Sequence, residues 1–161
     1  MKEHYTRDRQ VILEARRVET NPITVVRRFG IDAGHRLKDH EGKCRHLHGH
    51  RYEIDVEVEG PELDEVGRVV DFGKLKENVG EWLNEHWDHG MLLAHDDCKA
   101  IEYAQALGGK VYICPGPPSA ENLATWLLRI ILPWVLPAVL KVVRVTVHET
   151  PNCSATATRK K

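Results

Sequence analysis

No sign of charge dominates this chain. Its 23 Lys and Arg stand against 24 Asp and Glu, a formal net charge of −1, and the pI near 6.8 gives no general pull toward nucleic acid or an anionic membrane. Aromatic residues make up only 6%, and there is no internal repeat or low-complexity tract. Cysteine is sparse: Cys44, Cys98, Cys114 and Cys153 stand apart with no C-x-x-C pair. An even count would suggest disulfides in a small secreted protein, but this chain is larger, and Met1 to Asn21 is polar with no apolar signal-peptide core. A reducing cytoplasm and free thiols are therefore expected. A long clean apolar run is missing too. The most apolar stretch, Leu123 to Val147, is interrupted by Arg129, Pro133, Pro137, Lys141 and Arg144, short of the ~18 residues that a membrane span needs. It reads as a buried helix, a break and a strand, and no transmembrane segment is expected.

What is present fits one domain. The 161 residues divide into an extension over 1–22, expected to be mobile and ending at Asn21-Pro22, and a single domain over 23–161. From Ile23 to His35 the β-branched content predicts a strand, with Phe29, Ile31, Ala33 and His35 on one face. From His48 to Glu59 the alternation is cleaner: His48, His50, Tyr52, Ile54, Val56 and Val58 face the core, and Arg51, Glu53, Asp55, Glu57 and Glu59 face away. Arg68 to Val70 is expected to return as a short strand. Asp71 is a fitting N-cap for a helix with an apolar stripe of Phe72, Leu75, Val79, Trp82 and Leu83, stopping near Asp88-His89-Gly90. Part of Asp96 to Leu107 is expected to be helical and Lys110 to Cys114 a short strand. Ser119 caps a second long helix through about Leu132, where Pro133 and Pro137 predict a kink or an end. Lys141 to Thr150 is a strand with Val143, Val145, Val147 and Glu149 on one face, and Ser154 to Arg159 the last strand. Strands, helix, helix, strands make an α+β sandwich with helices on one side of an antiparallel sheet.

The chemistry begins at His48-Gly49-His50. Residues i and i+2 of a strand point the same way, so both imidazoles can bind one ion. His35 ends the neighbouring predicted strand on its own apolar face. Three neutral nitrogen donors suit Zn²⁺, and an open fourth position marks a catalytic site. With Cys44 as a fourth ligand the same residues would make a closed, structural site. His46 could share the face of His48 as a supporting or surface group. His4, His40, His86, His95 and His148, and Cys98, Cys114 and Cys153, carry no expected role. Glu149, on residues alone, is a strand-end carboxylate that reaches water or an arginine.

The segment Phe29–Tyr52, reading F-x-x-A-G-H and then G-K-C-R-H-L-H-G-H-x-Y, resembles the 6-pyruvoyltetrahydropterin and 6-carboxytetrahydropterin synthase family. So do Val69-Val70-Asp71-Phe72, Asp88-His89, Pro118-Ser119-Ala120-Glu121-Asn122 and His148-Glu149-Thr150, in the family's order. The resemblance implies that His35, His48 and His50 bind zinc, that Cys44 is the catalytic thiol and that Asp88 and His89 complete the proton-transfer group. It implies that Glu149 anchors a pterin, accepting its two parallel N–H donors. Glu121 and Ser119 are further substrate-side candidates, although an early-turn Glu and a capping Ser also suit a helix start. Adjacent residues on a helix do not face each other, so the Asp88–His89 pairing requires both to lie off it. The implied architecture is the tunnelling fold: a four-stranded antiparallel sheet with two helices on one face. Subunits join into a barrel, and a homo-oligomer, a hexamer of two trimers, has its active sites between subunits.

Cys44 stands four positions before His48, a short spacing that resembles the bacterial 6-carboxytetrahydropterin branch. That branch implies 7,8-dihydroneopterin triphosphate as substrate, with 6-carboxy-5,6,7,8-tetrahydropterin, acetaldehyde and triphosphate as products, on the route to 7-deazaguanine nucleosides such as queuosine. The alternatives are a pyruvoyl-forming or dihydroneopterin-cleaving relative, or a non-enzymatic zinc-binding assembly module. Two segments depart from the family pattern: Ser119 stands in place of its Thr, and Gly90-Met91-Leu92-Leu93 follows Asp88-His89 where many members have Leu-Asn.

Overall fold

In a computed structural model of the chain, the residues described are 23–159 and Val11; apart from Val11, the expected mobile extension lies outside them. The two strands with the clearest alternation form the spine. β1 (Thr24–His35) and β2 (His48–Glu59) pair antiparallel along their whole length, with Ile31 opposite Tyr52, Ala33 opposite His50 and His35 opposite His48. The period of two puts Phe29, Ile31, Tyr52, Ile54, Val56 and Val58 on the buried face.

Two helices cover that face. The first, α1, is continuous through Phe72–Leu75, Lys76–Gly80 and Glu81–His86, with a π turn in the middle. Asp71 caps it as expected, its carboxylate accepting from the Gly73 amide at 2.6 Å. The second, α3, runs through Ala120–Trp126, Leu127–Ile131 and Leu132–Val135, capped by Ser119. Its π turn stands directly before Pro133, which lacks the N–H that an α-helical register would use. The helix therefore passes Pro133 and ends before Pro137. Leu75, Val79 and Leu83 of α1 meet Leu123, Leu127, Leu128 and Leu132 of α3 over the sheet in one core.

The sheet has six strands rather than the four expected, in the order β4-β3-β1-β2-β5-β6. β5 (Lys141–Thr150) and β6 (Cys153–Thr158) complete the antiparallel four. The two additional strands, β3 (Met91–Ala94) and β4 (Val111–Cys114), extend it in parallel beyond the end of β1. Leu92 joins the main core, while Leu93, on the other face, packs on Ala100 and Ala104 of α2 (Cys98–Ala106). A third helix thus covers the opposite face at this edge.

Two expectations are corrected. Arg68–Val70 is not a strand: the Asp64 carboxylate takes the amides of Val66 and Arg68 and folds the segment into a turn. On β5 a bulge slips the register between Arg144 and Val142, so Val142 rather than Val143 is buried beside Val145 and Val147. The free face of the antiparallel four carries cross-strand ion pairs, Arg28 with Asp55, Arg51 with Asp32 and Arg144 with Glu57. That is where the alternation put the charged residues. Among the described residues no helix is long and apolar enough to cross a membrane, and all four cysteines are free.

Candidate functional site

The antiparallel register brings the three histidines together. His35 and His48 end their strands directly across from each other, and His50 follows two residues on. One ring nitrogen from each lies within 4.8 Å of the others, the only such group of three metal-ligating side chains among the described residues. The rings stand at steep angles, 83° between His48 and His50 and 74° between His35 and His50, so the nitrogens converge without stacking.

Hydrogen bonds fix which nitrogens converge. His35 Nδ1 lies 2.8 Å from the Pro118 carbonyl and His48 Nδ1 lies 2.8 Å from the His46 carbonyl. A carbonyl only accepts, so both Nδ1 atoms carry the proton and both Nε2 atoms present lone pairs. Those two Nε2 atoms are 3.2 Å apart, and Glu149 adds a carboxylate oxygen 3.4 Å from His35 Nε2 and 3.9 Å from His50 Nε2. Acceptors facing acceptors at this range repel unless a cation stands among them. The donor set therefore fits a metal ion. Burial lowers the His35 pKa, reinforced by its two histidine neighbours against the Pro118 carbonyl and Glu149; burial does the same at His50. Both effects favour the neutral, ligating form.

Tyr52, two residues beyond His50 on the same face, forms the floor. Its ring meets His35 and His50 edge-on at 5.9 and 5.6 Å between centroids. Burial and the nearby Glu149, Cys114 and Cys44 hold its phenol protonated, well above the ordinary tyrosine range.

Cys44 sits half-buried in a single turn, Lys43–Arg45, with a free thiol. The loop carrying it is closed at its base, where the Leu37 amide donates to the Cys44 carbonyl at 2.8 Å. The same base is held by the residues on either side of Leu37: the Arg36 guanidinium grips the buried Asp97 carboxylate with two bonds, and Lys38 pairs with Asp96. The thiol is not a member of the three-nitrogen cluster.

Asp88 and His89 lie off α1, as their pairing requires. His89 adopts φ 54°, the left-handed region uncommon for a residue with a Cβ. Asp88 Oδ2 accepts from His89 Nδ1 at 2.8 Å, and Oδ1 accepts from the Asp32 amide at 2.8 Å. Burial alone would raise the Asp88 carboxyl; the Asp32 amide, His89 and the Lys110 charge outweigh it and hold it below the usual carboxylate range. Neither residue hydrogen-bonds to the triad or to Cys44, and the His89 side chain is 77% exposed. Ser119 caps α3 by accepting from the Asn122 amide at 3.4 Å, which leaves its own O–H free to donate. Glu121 is exposed in the first turn of α3.

Sequence reasoning missed the carbonyls of Pro118 and His46, the Arg36–Asp97 pair and the Tyr52 floor. A backbone carbonyl leaves no side-chain signature. The alternation that buried Tyr52 was the available signal for the floor.

Comparison with known proteins agrees with this geometry. The family model described as 6-pyruvoyl tetrahydropterin synthase matches residues 24–160. The chain therefore belongs to that family, and its curled sheet with helices on one face is the tunnelling fold. Within the family, a Rickettsia conorii protein named 6-carboxy-5,6,7,8-tetrahydropterin synthase is 37% identical over 81% of this chain and 96% of its own length. A Rickettsia bellii protein of the same name is 38% identical over the same shares. The solved Caenorhabditis elegans 6-pyruvoyl tetrahydropterin synthase superposes with a TM-score of 0.62 at 25% identity, covering 88% of this chain and 98% of the other.

Proposed function

We propose that the chain is a zinc-dependent 6-carboxy-5,6,7,8-tetrahydropterin synthase. It converts 7,8-dihydroneopterin triphosphate and water to 6-carboxytetrahydropterin, acetaldehyde and triphosphate, in cytoplasmic 7-deazaguanine (queuosine) biosynthesis. The observation that carries this reading is the convergence of three imidazoles, two of them locked by carbonyls to present Nε2, beside the Glu149 carboxylate. The names of the Rickettsia relatives favour the carboxy product over the pyruvoyl one.

His35, His48 and His50 hold the zinc, which supplies Lewis acidity to the hydroxyls of the substrate side chain. Glu149 accepts the paired N–H donors of the pterin edge and sets its orientation. Glu121 and Ser119, at the start of α3, face the substrate. Cys44, held at the base of its closed loop, removes a proton from the side chain, and His89 exchanges protons at Nε2 while Asp88 holds its Nδ1–H. Because Cys44 stands outside the nitrogen cluster, a base is favoured over a fourth ligand, and an enzyme over a structural zinc module. His89 is 77% exposed and makes no hydrogen bond to the triad, which fits an active site completed between copies of a homo-oligomer, in this reading a hexamer of two trimers. Turnover of 7,8-dihydroneopterin triphosphate by the zinc-loaded protein, with the pterin product identified by mass, tests the assignment.

A further inference from the structure

The turn that carries Asp88 and His89 is held by a residue from another strand. α1 ends at His86, and a helix end leaves its last carbonyls without intrahelical partners. Here the Asp88 amide reaches back to the Leu83 carbonyl at 2.8 Å, so the Asn84 carbonyl, its α-helical acceptor, is left free. Lys110 takes it. Its Nζ donates to the Asn84 carbonyl at 3.0 Å and to the Asp88 carbonyl at 2.6 Å, placing a cation at the negative end of the helix.

The approach depends on Gly90. A Cβ there would stand 3.2 Å from Lys110 Cδ and 3.2 Å from the Trp87 carbonyl. The bare backbone lets the lysine stem lie across the turn. The base of the lysine is fixed as well, because its carbonyl accepts from the Met91 amide at 2.9 Å. On the other side, the His89 amide donates to the Asp32 carbonyl at 2.6 Å and the Gly34 amide to the Gly90 carbonyl at 2.9 Å. A left-handed His persists only where its surroundings over-determine it. On the helix side the Asp88 and Gly90 amides reach the Leu83 and Trp87 carbonyls, and the Lys110 ammonium adds the only side-chain grip among the described residues on the Asn84 and Asp88 carbonyls.

We propose that Lys110 is the positioning residue of the Asp88–His89 pair: by gripping the Asn84 and Asp88 carbonyls it holds the turn in which Asp88 fixes the proton of His89 on Nδ1 and leaves Nε2 free. This rests on the acid–base reading of His89 given above, but it is testable apart from it.

The test uses the full chain loaded with zinc and the variant Lys110→Met, which keeps the stem over Gly90 and removes the ammonium. Nitrogen-resolved NMR of the His89 ring, assigned with His89→Gln, reads the neutral tautomer without substrate. The wild type is expected to carry the proton on Nδ1. In Lys110→Met the population moves toward the Nε2–H tautomer preferred by free imidazole, and kcat falls by about 10- to 100-fold, as for a misplaced catalytic group. Zinc content and KM stay within about twofold, and Lys110→Arg recovers part of both signals. A folded Lys110→Met with the Nδ1–H tautomer intact overturns the proposal, and so does a shifted tautomer with kcat unchanged. If Lys110→Met does not fold, Lys110→Ala, which also has no donor, is read by the same criteria. A tautomer shift in a protein that turns over no pterin at all sinks the functional reading and leaves the positioning role standing.

Discussion

The Nε2 atoms of His35 and His48 face each other at 3.2 Å, each ring held from behind by a backbone carbonyl. The cross-strand register fixes the pair, and the carbonyls fix its protonation. A site built this way is complete before the ion arrives, because neither ring has to turn or change tautomer to bind.

Removing one ligand should then empty the centre without unfolding the sheet. His50→Ala, which removes one of the three converging ring nitrogens, is expected to weaken zinc binding by more than about 100-fold, beyond what the loss of a supporting contact costs. Competition with a chromophoric chelator measures it. Far-ultraviolet circular dichroism should match the wild type.

Cys44 separates the catalytic from the structural account. Cys44→Ala is expected to keep one zinc per chain and lose at least about 100-fold in kcat, the lower range for a missing acid–base group. Metal analysis and turnover on the same preparation check it. Loss of zinc together with fold would make the thiol a ligand.

Glu149→Gln keeps the shape of the side chain but cannot accept both pterin donors with a charge. A fall of about 10- to 100-fold in kcat/KM, with zinc retained, is expected from the loss of a charge-assisted pair. Steady-state kinetics with parallel metal analysis measure it.

Asp97 is the support whose loss should be felt as stability. It is buried and gripped by Arg36, the neighbour of His35 in the chain, and breaking such a pair from one side costs about 3 kcal/mol. The hydrogen-bonded Arg36 guanidinium holds the Asp97 carboxyl below its ordinary range. Its contribution is therefore full above the unfolded value, about 3.9, and is lost as pH falls through the lower folded value. Urea unfolding should show a large gap between wild type and Asp97→Ala at pH 7, narrowing below about pH 4.

Much of the fold was legible because its central strands alternate cleanly. β1, β2 and β6, the Asp71 and Ser119 caps and the apolar stripe of α1, apart from its exposed first member Phe72, follow from residue pattern alone. β3 did not show, because Leu92 and Leu93 are buried on opposite faces and a four-residue strand buried on both sides has no period to read. The bulge that exchanges Val142 for Val143 is a matter of register between strands, which one strand's sequence does not encode. At the site, the histidine spacing identified the centre. The Pro118 carbonyl and the lysine that grips the Asp88–His89 turn come from segments distant in the chain, and the His46 carbonyl, two residues from His48, has no side-chain signature.

The most direct test of the account is the product. Zinc-loaded protein incubated with 7,8-dihydroneopterin triphosphate should yield 6-carboxy-5,6,7,8-tetrahydropterin, acetaldehyde and triphosphate in equal amounts, read by mass spectrometry and an aldehyde assay. A 6-pyruvoyl product, or no turnover by folded protein carrying its zinc, would contradict it.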